Sequence, residues 1–276
     1  MKLATLRTPH GTRAVRLEPD GRIIDLGESD IGALLARTDW STHARADEAS
    51  IDDPAPTFAP VIPSPGKIIC TGLNYAHHIR EMGRDLPEYP TLFAKYAEAL
   101  IGPTDPIILP PVSEAVDWEA ELAVVVGRDV RDADEAEAAD AIAGFTILND
   151  VSMRDWQNRT LQWLQGKTFE GSTPVGPALV TPDELPGGTT PRLHLQGRIS
   201  DEVVQEANTA DLVFGPAALI SYISSILTLR PGDLIATGTP GGVGHARKPP
   251  RYLAESDVLV TEIEHLGRLE NPVKAA

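Results

Sequence analysis

Cysteine, long apolar stretches and positive charge are all scarce in this chain of 276 residues. The single cysteine, Cys70, cannot form an internal disulfide, and its place in the apolar run KIICTG predicts a buried strand residue rather than a catalytic thiol. No stretch approaches the roughly 18 consecutive apolar residues of a membrane span, and the first residues lack a signal-peptide core. These absences predict a cytoplasmic protein with no membrane partner.

Basic side chains are outnumbered, because 24 Lys and Arg residues face 40 Asp and Glu residues, for a formal net charge of −16 at pH 7. Phosphate binding needs clustered Lys and Arg, so we expect no nucleic-acid partner. The apolar content of 42% and the charged content of 23% are ordinary for a globular protein. A chain of this length can bury one large core, with or without a small second domain.

The chain divides near residue 60, at the proline-rich passage DDPAPTFAPVIPSPGK, which is typical of a semi-rigid linker. Short alternating runs before it predict a small N-terminal domain at residues 1–60. Within residues 61–276, segments such as KIICTG, ELAVVVG and FTILND predict strands, whereas helical periodicity is sparser and appears in DADEAEAADAIA, MRDWQNRTLQWLQG and PAALISYISSILTL. We therefore expect an α+β, mainly β fold built on curled sheets.

Three acids alternate in the segment DWEAELAVVVG, namely Asp117, Glu119 and Glu121. On one strand, alternate side chains share a face, so these carboxylates would lie together. Like charges at this spacing are unfavourable unless they face water or hold a cation, and Mg²⁺, Mn²⁺ and Ca²⁺ select oxygen ligands. The segment therefore predicts a metal site, with a solvated strand face as the alternative.

Further candidates follow along the chain. Asp150 closes the strand-like GFTILND and could either cap the helix predicted after it or ligate a metal. On that helix Arg154 and Gln157 share a face and could present a guanidinium and an amide to an oxyacid. Lys167 and Glu170 lie in GKTFEG, and the sequence leaves open whether Glu170 belongs to the acidic cluster.

Two other segments carry weaker signals. In GLNYAHHIREMGRD, His78 and Glu81 would be i, i+3 neighbours on a helix, and a carboxylate beside an imidazole favours a general base. The alternative is an ordinary polar helix surface. The turn TGTPGGVGHARKPP could offer backbone N–H groups and hydroxyls to an anionic ligand, or it could be purely structural.

Together these segments resemble the fumarylacetoacetate hydrolase family across roughly residues 66–273. The resemblance rests on KIICTGLNYAHHIREMG, DWEAELAVVVG, GFTILNDVSMRDWQ, QGKTFEGSTPVGP, LRPGDLIATGTPGGVG and EHLGRLENPV. It implies a mixed β-roll of curled sheets preceded by a small N-terminal domain. It also implies a homodimer, since members of the family commonly form one.

The resemblance assigns roles to the acids. It places a divalent metal, Mg²⁺ with Mn²⁺ or Ca²⁺ as alternatives, on Glu119, Glu121 and Asp150, with Lys167 beside it to hold substrate oxygens. Asp117 would be a neighbour of the site rather than a ligand.

It also places the catalytic pair on His78 and Glu81, within a lid segment. The substrate's oxyacid end would contact Arg154, Gln157, Gly238 and Thr239. The implied activity is hydrolysis of a carbon–carbon bond in an acylpyruvate or a fumarylpyruvate-like diketo acid. Oxaloacetate decarboxylation, isomerisation of a 2-hydroxy-dienedioate and non-catalytic binding of a 2-oxo acid are the alternatives. Two departures from the family pattern, Glu170 in Lys-x-Phe-Glu and Ser256 before Asp257, concern the substrate more than the chemistry.

Overall fold

The computed structural model of the protein describes residues 1–46 and 49–276, which fold mainly into strands. The strands are β1 (Lys2–Thr8), β2 (Gly11–Leu17), β3 (Ile23–Asp25), β4 (Ser50–Ile51), β5 (Ile68–Gly72), β6 (Thr91–Lys95), β7 (Leu100–Ile101), β8 (Ile107–Leu109), β9 (Val116–Asp117), β10 (Ala120–Val126), β11 (Ile142–Asn149), β12 (Ser152–Met153), β13 (Thr173–Val180), β14 (His194–Ile199), β15 (Glu202–Asn208), β16 (Leu234–Ala236), β17 (Val258–Ile263) and β18 (Gly267–Ala275). The predicted strands in KIICTG, ELAVVVG and FTILND are confirmed as β5, β10 and β11.

The helices are short. They are α1 (Ile31–Leu35), α2 (Trp40–Arg45), α3 (Ala76–Glu81), α4 (Glu135–Asp140), α5 (Arg154–Gln157), α6 (Leu164–Lys167) and α7 (Pro216–Ser224). The predicted helices in DADEAEAADAIA and PAALISYISSILTL are confirmed as α4 and α7. Asp134 caps α4 through a capping box with Glu137, and Pro216 opens α7, where its missing N–H costs no hydrogen bond.

One large mixed sheet organises the molecule, with the strand order β4-β3-β2-β1-β13-β11-β10-β16-β5-β6 and β7 joined to β13. A second sheet has the order β15-β14-β17-β18-β8. The central strands β10 and β11 are buried along their whole length, so both faces of the large sheet are covered by apolar side chains. The prediction of an α+β, mainly β fold is confirmed.

Hydrogen bonding crosses the predicted domain boundary. In the large sheet, Lys2 and Leu3 of β1 pair with Val180 and Leu179 of β13, so the first strands belong to the same sheet as strands of residues 61–276. The Thr5 hydroxyl also donates to the Val61 carbonyl at 2.7 Å. The division into residues 1–60 and 61–276 stays a prediction, and any boundary there is bridged by strand pairing.

Two predicted elements are each interrupted. The acidic segment is not one strand, because Trp118 and Glu119 lie between β9 and β10, where the Glu119 N–H bonds the Asn149 side chain at 2.9 Å instead of a strand partner. The helix predicted for MRDWQNRTLQWLQG is two short helices, α5 and α6. The chain folds back there, since a Cβ on Gly166 would lie 2.4 Å from the Gln157 nitrogen.

Cys70 is fully buried on β5, as predicted, and burial raises the pKa of its thiol well above the ordinary value. No helix within residues 1–46 and 49–276 is long and apolar enough to cross a membrane.

Candidate active site

Three buried carboxylates converge at the centre of the large sheet. Glu119, Glu121 and Asp150 each offer an oxygen, and these oxygens all lie within 4.8 Å of one another. Strand pairing brings them together, because β10 runs antiparallel to β11 and Ala120 faces Asn149. The first residues of β10 therefore meet the residue that follows β11.

Two buried lysines contact Glu119 and Asp150 of this cluster. The Lys167 ammonium donates to Glu119 and to Asp150, both at 2.7 Å, and the Lys95 ammonium donates to the other Asp150 oxygen at 2.6 Å. Burial disfavours the charged carboxylate of Asp150, but Lys167 and Lys95 outweigh it and lower its pKa to about 2. Burial also opposes the charge on Lys167, yet Asp150 and Glu119 raise the pKa of its ammonium overall.

Glu121 is the acid that lacks a cationic contact. Its Oε2 accepts the Gly238 N–H at 2.8 Å, and no lysine or arginine of the described residues contacts it. Burial, then the charges of Asp150 and Glu119, raise the pKa of Glu121 well above its ordinary value. Gly238 has φ +96°, and a Cβ there would lie 2.9 Å from the Thr71 carbonyl, so only glycine lets the turn approach this closely.

Asp117 lies outside the carboxylate trio and holds Arg154. Its Oδ2 accepts the Arg154 Nε–H at 2.8 Å, and its Oδ1 accepts the Gly244 N–H at 2.7 Å. Arg154 also contacts Glu119 at 2.7 Å and donates to the Gln157 side chain at 2.9 Å. The predicted neighbours Arg154 and Gln157 are thus joined, and the guanidinium is held in one orientation.

The positions of Glu170 and Asp150 answer two questions that the sequence left open. Glu170 is exposed and lies outside the acidic group, whereas the three members of the trio are buried. Asp150 does not cap the helix that follows it, because its oxygens are taken by Lys95 and Lys167 and the residue at the N-cap of α5 is Met153. The capping alternative was therefore wrong.

A cavity of about 310 Å³ opens onto the cluster. Its polar lining includes Glu119, Arg154, Gln157, Lys167 and Thr239, and His78 on α3 also lines it. Burial lowers the pKa of His78, against the smaller raising effect of Glu81, so the imidazole is neutral at pH 7.

Glu81 lies differently from the sequence expectation. Its carboxylate contacts His77 at 3.5 Å, four residues earlier, and both side chains are largely exposed. The sequence predicted that Glu81 pairs with His78, its i, i+3 neighbour, whereas its carboxylate contacts the i, i+4 neighbour His77. The catalytic roles of His78 and Glu81 stay predictions.

The carboxylate trio fits a divalent cation. All three donors are oxygens, with no histidine or cysteine in the group, and this donor set suits hard ions such as Mg²⁺, Mn²⁺ or Ca²⁺. A cation would also stabilise the buried, ionised form of Glu121. The raised pKa of this carboxyl shows that its ionisation is unfavourable without a cation. Glu119, Glu121 and Asp150 would hold the ion.

Lys95 contacts the acidic site, but no sequence motif identifies it as a site residue. We expect Lys95→Met to lower the free energy of unfolding of the metal-free protein by about 3 kcal/mol, because it removes one partner of a buried ion pair. The Asp150 pKa should rise, so the variant should unfold at a higher pH than the native protein on acidification. Urea unfolding across the acid range measures both effects.

The matched control is Arg268→Met, which removes a surface pair with Glu270 and should cost less than about 1 kcal/mol. Equal losses in the two variants would contradict a structural role for Lys95 at the acidic cluster.

Comparison with known proteins agrees with this fold. The model of the fumarylacetoacetate (FAA) hydrolase C-terminal domain matches residues 67–274. "Oxaloacetate tautomerase fahd2, mitochondrial" from Xenopus laevis is 42% identical over 252 residues, which cover 91% of this chain and 76% of the relative.

Two solved structures are similar over the whole chain. The 5-carboxymethyl-2-hydroxymuconate delta-isomerase of Mycobacterium smegmatis has a TM-score of 0.80 at 32% identity, covering 100% of this chain and 99% of that one. Maleylpyruvate hydrolase from Sphingobium sp. SYK-6, in complex with manganese (II) ion and pyruvate, has a TM-score of 0.81 at 28% identity and covers 100% of both chains.

The matched relatives and the fold place the protein among enzymes that act on small-molecule acids. The chain belongs to the fumarylacetoacetate hydrolase family. Family membership confirms the resemblance inferred from the sequence and its expected fold, and it removes the alternative of a non-catalytic binding protein.

Proposed function

We propose that this enzyme catalyses keto–enol tautomerisation of a 2-oxo dicarboxylic acid, with oxaloacetate as the lead substrate. The observation that carries the proposal is one cavity lined by a neutral imidazole, His78, and a buried ammonium, Lys167. Tautomerisation needs a base for a C–H proton and a donor at the carbonyl oxygen, and these two groups can supply them. The identity to the Xenopus laevis oxaloacetate tautomerase supports the substrate.

The charge of the site suits an anionic substrate once a divalent cation is bound. Four buried carboxylates, Asp117, Glu119, Glu121 and Asp150, face three cations, Lys95, Arg154 and Lys167, which leaves one negative charge when all are ionised. A divalent cation changes this balance to one positive charge. A 2-oxo acid anion is then attracted to the site.

Each side chain has a separate task in this proposal. His78 takes the proton from the carbon next to the carbonyl, and Lys167 stabilises the negative charge that develops on the oxygen. The proton on His78 then passes through water to that oxygen, which gives the enol and restores the neutral imidazole. Arg154 and Gln157 orient a carboxylate of the substrate. A bound divalent cation would polarise the 2-oxo carbonyl, and we propose Mg²⁺ for this role, with Mn²⁺ or Ca²⁺ as alternatives.

Hydrolysis of an acylpyruvate or a fumarylpyruvate-like diketo acid is the second candidate. The cavity lining also includes the apolar side chains of Met82, Phe93 and Trp163, which could accommodate an acyl group. The similarity to maleylpyruvate hydrolase favours the same chemistry. Hydrolysis would require His78 to take a proton from water instead of from carbon.

A substrate panel tests the proposal. We expect the metal-loaded enzyme to accelerate the loss of enol absorbance of oxaloacetate without releasing pyruvate. Acetylpyruvate, fumarylpyruvate and a 2-hydroxy-dienedioate serve as comparison substrates with Mg²⁺ and Mn²⁺. Pyruvate release from oxaloacetate would indicate decarboxylation, and faster cleavage of a diketo acid than enol loss would replace tautomerisation by hydrolysis.

A homodimer and a cytoplasmic location stay predictions. The name of the Xenopus laevis relative places that protein in mitochondria. Sedimentation of the purified protein tests the homodimer.

A further inference from the structure

Gln205 is a buried amide outside the catalytic cluster that joins two parts of the site. It lies on β15 and is 2% exposed. Its Oε1 accepts the Ala120 N–H at 2.9 Å, and its Nε2 donates to the Thr239 hydroxyl at 2.8 Å and to the Pro240 carbonyl at 3.0 Å. The amide therefore ties the glycine-rich turn to the residue between Glu119 and Glu121.

These contacts determine which way the amide points. The Ala120 N–H can only donate and the Pro240 carbonyl can only accept, so the oxygen of Gln205 faces Ala120 and the nitrogen faces Pro240. Both amide protons are then used, one on Pro240 and the other on the Thr239 oxygen.

The hydrogen bonds of the Thr239 hydroxyl determine whether it can donate to a ligand or accept from one. Its single proton goes to the Ala120 carbonyl at 3.0 Å, and one of its two lone pairs accepts from Gln205. One lone pair remains. Because Thr239 is half-buried and lines the same cavity as Glu119 and Lys167, this hydroxyl meets a ligand as a hydrogen-bond acceptor.

We infer that Gln205 is a positioning residue that orients the Thr239 hydroxyl as an acceptor for a ligand O–H group. An acceptor favours an alcohol or an enol hydroxyl and disfavours a carboxylate oxygen, so this side of the cavity distinguishes the enol tautomer from the keto form. The inference rests on the proposed function in that the enol belongs to the 2-oxo acid substrate. It changes the expected role of Thr239, which becomes the partner of a hydroxyl rather than of the oxyacid end.

Binding of two small acids tests the inference without turnover. Malate carries an alcohol hydroxyl next to a carboxylate, whereas oxalate, as the dianion, carries no O–H group. We expect Thr239→Val to weaken malate binding to the Mg²⁺-loaded protein by about tenfold, the loss of one hydrogen bond, with oxalate changed less than about twofold. Isothermal calorimetry measures both. Thr239→Ser keeps a hydroxyl and should restore malate binding.

Gln205→Leu tests the positioning role, with Asn271→Leu as its matched control. The Asn271 amide is equally buried and donates to two backbone carbonyls, of Gly102 at 3.1 Å and Asp105 at 2.8 Å. We expect both variants to lose similar unfolding free energy, but only Gln205→Leu should weaken malate relative to oxalate.

Several outcomes would overturn the inference: no malate binding by the native protein, an equal loss of oxalate and malate affinity in Thr239→Val, or the same selectivity change in Asn271→Leu. A native protein that binds malate through Thr239 but does not tautomerise oxaloacetate would leave the inference standing and would refute the proposed function instead.

Discussion

Glu121→Gln should abolish activity and divalent-metal binding while making the metal-free protein more stable at neutral pH. The loss of metal affinity should exceed the roughly 10–100-fold that outer-shell substitutions cost, because a ligand carboxylate is removed. The gain in stability has a separate cause. Glutamine has nearly the same shape as glutamate and carries no charge beside Asp150 and Glu119.

The sign of the stability change follows from the raised pKa of Glu121. The unfolded chain releases this proton near the ordinary pKa of 4.5, whereas the folded metal-free protein keeps it to higher pH. Stability of the native protein therefore falls as pH rises above 4.5 toward the folded pKa, and the variant escapes this loss. The same proton must leave when a metal binds, so native metal affinity should rise with pH.

Thermal unfolding of chelator-treated protein and calorimetric titration with Mg²⁺ measure the two effects. Glu170→Gln is the control, since Glu170 is a nearby acid that is exposed, and it should change neither quantity. If Glu121→Gln retained metal binding, or if it destabilised the metal-free protein, the assignment of Glu121 as a ligand in a repulsive cluster would be wrong.

His78→Ala should reduce the catalytic rate by about 10²–10⁴-fold, the usual contribution of a general base, and leave metal affinity unchanged. His78 lines the cavity but contacts none of the three proposed ligands, so its removal does not alter the metal's donor set. Steady-state kinetics with oxaloacetate, together with calorimetric titration of the metal, separates the two quantities.

The pH profile gives this prediction a second readout. Burial lowers the pKa of His78 below its ordinary 6.5, and a base acts in its neutral form. The native rate of enol formation from the keto acid should therefore fall on acidification with a midpoint below pH 6.5. A fall centred above 6.5 would argue against His78 as the base.

His77→Ala is the matched control, because His77 is the adjacent imidazole on the same helix and is 79% exposed in its side chain. It should retain most of the native rate. If His77→Ala lost activity and His78→Ala did not, the catalytic histidine would be assigned to the wrong position. A moderate effect of His77→Ala would point to Glu81, which His77 contacts at 3.5 Å.

Local pattern was enough to predict most strands and several site residues. The runs ELAVVVG and FTILND became the buried central strands β10 and β11, because β-branched residues bounded by Gly or Asp favour a covered sheet. Their antiparallel pairing then places Glu119 and Glu121 beside Asp150. A single strand pair thus brings together acids that lie some thirty residues apart in the sequence.

Other site residues could not be identified from the sequence, because their roles depend on tertiary packing. Lys95 is the last residue of β6, a strand with no recognisable motif. Its ammonium reaches Asp150 because β6 pairs with β5 in the large sheet. Gln205 lies 85 residues from Ala120 in the chain and meets it across two sheets. Asp117 was expected on the strand face of Glu119, but the strand breaks at Trp118 and Glu119, and the Asp117 carboxylate accepts from Arg154 and Gly244 instead. The alternation of side chains along a strand does not predict hydrogen bonds between a side chain and residues that are distant in the chain.

The pairing of β1 with β13 has a consequence for any shortened version of the chain. Removing residues 1–60 would uncover the backbone of Leu179 and Val180, which now pair with Leu3 and Lys2, on a strand that is buried at every residue except Pro177. An uncovered border of this kind is a template on which other chains can add strands. A truncated enzyme with every catalytic group intact would therefore tend to aggregate.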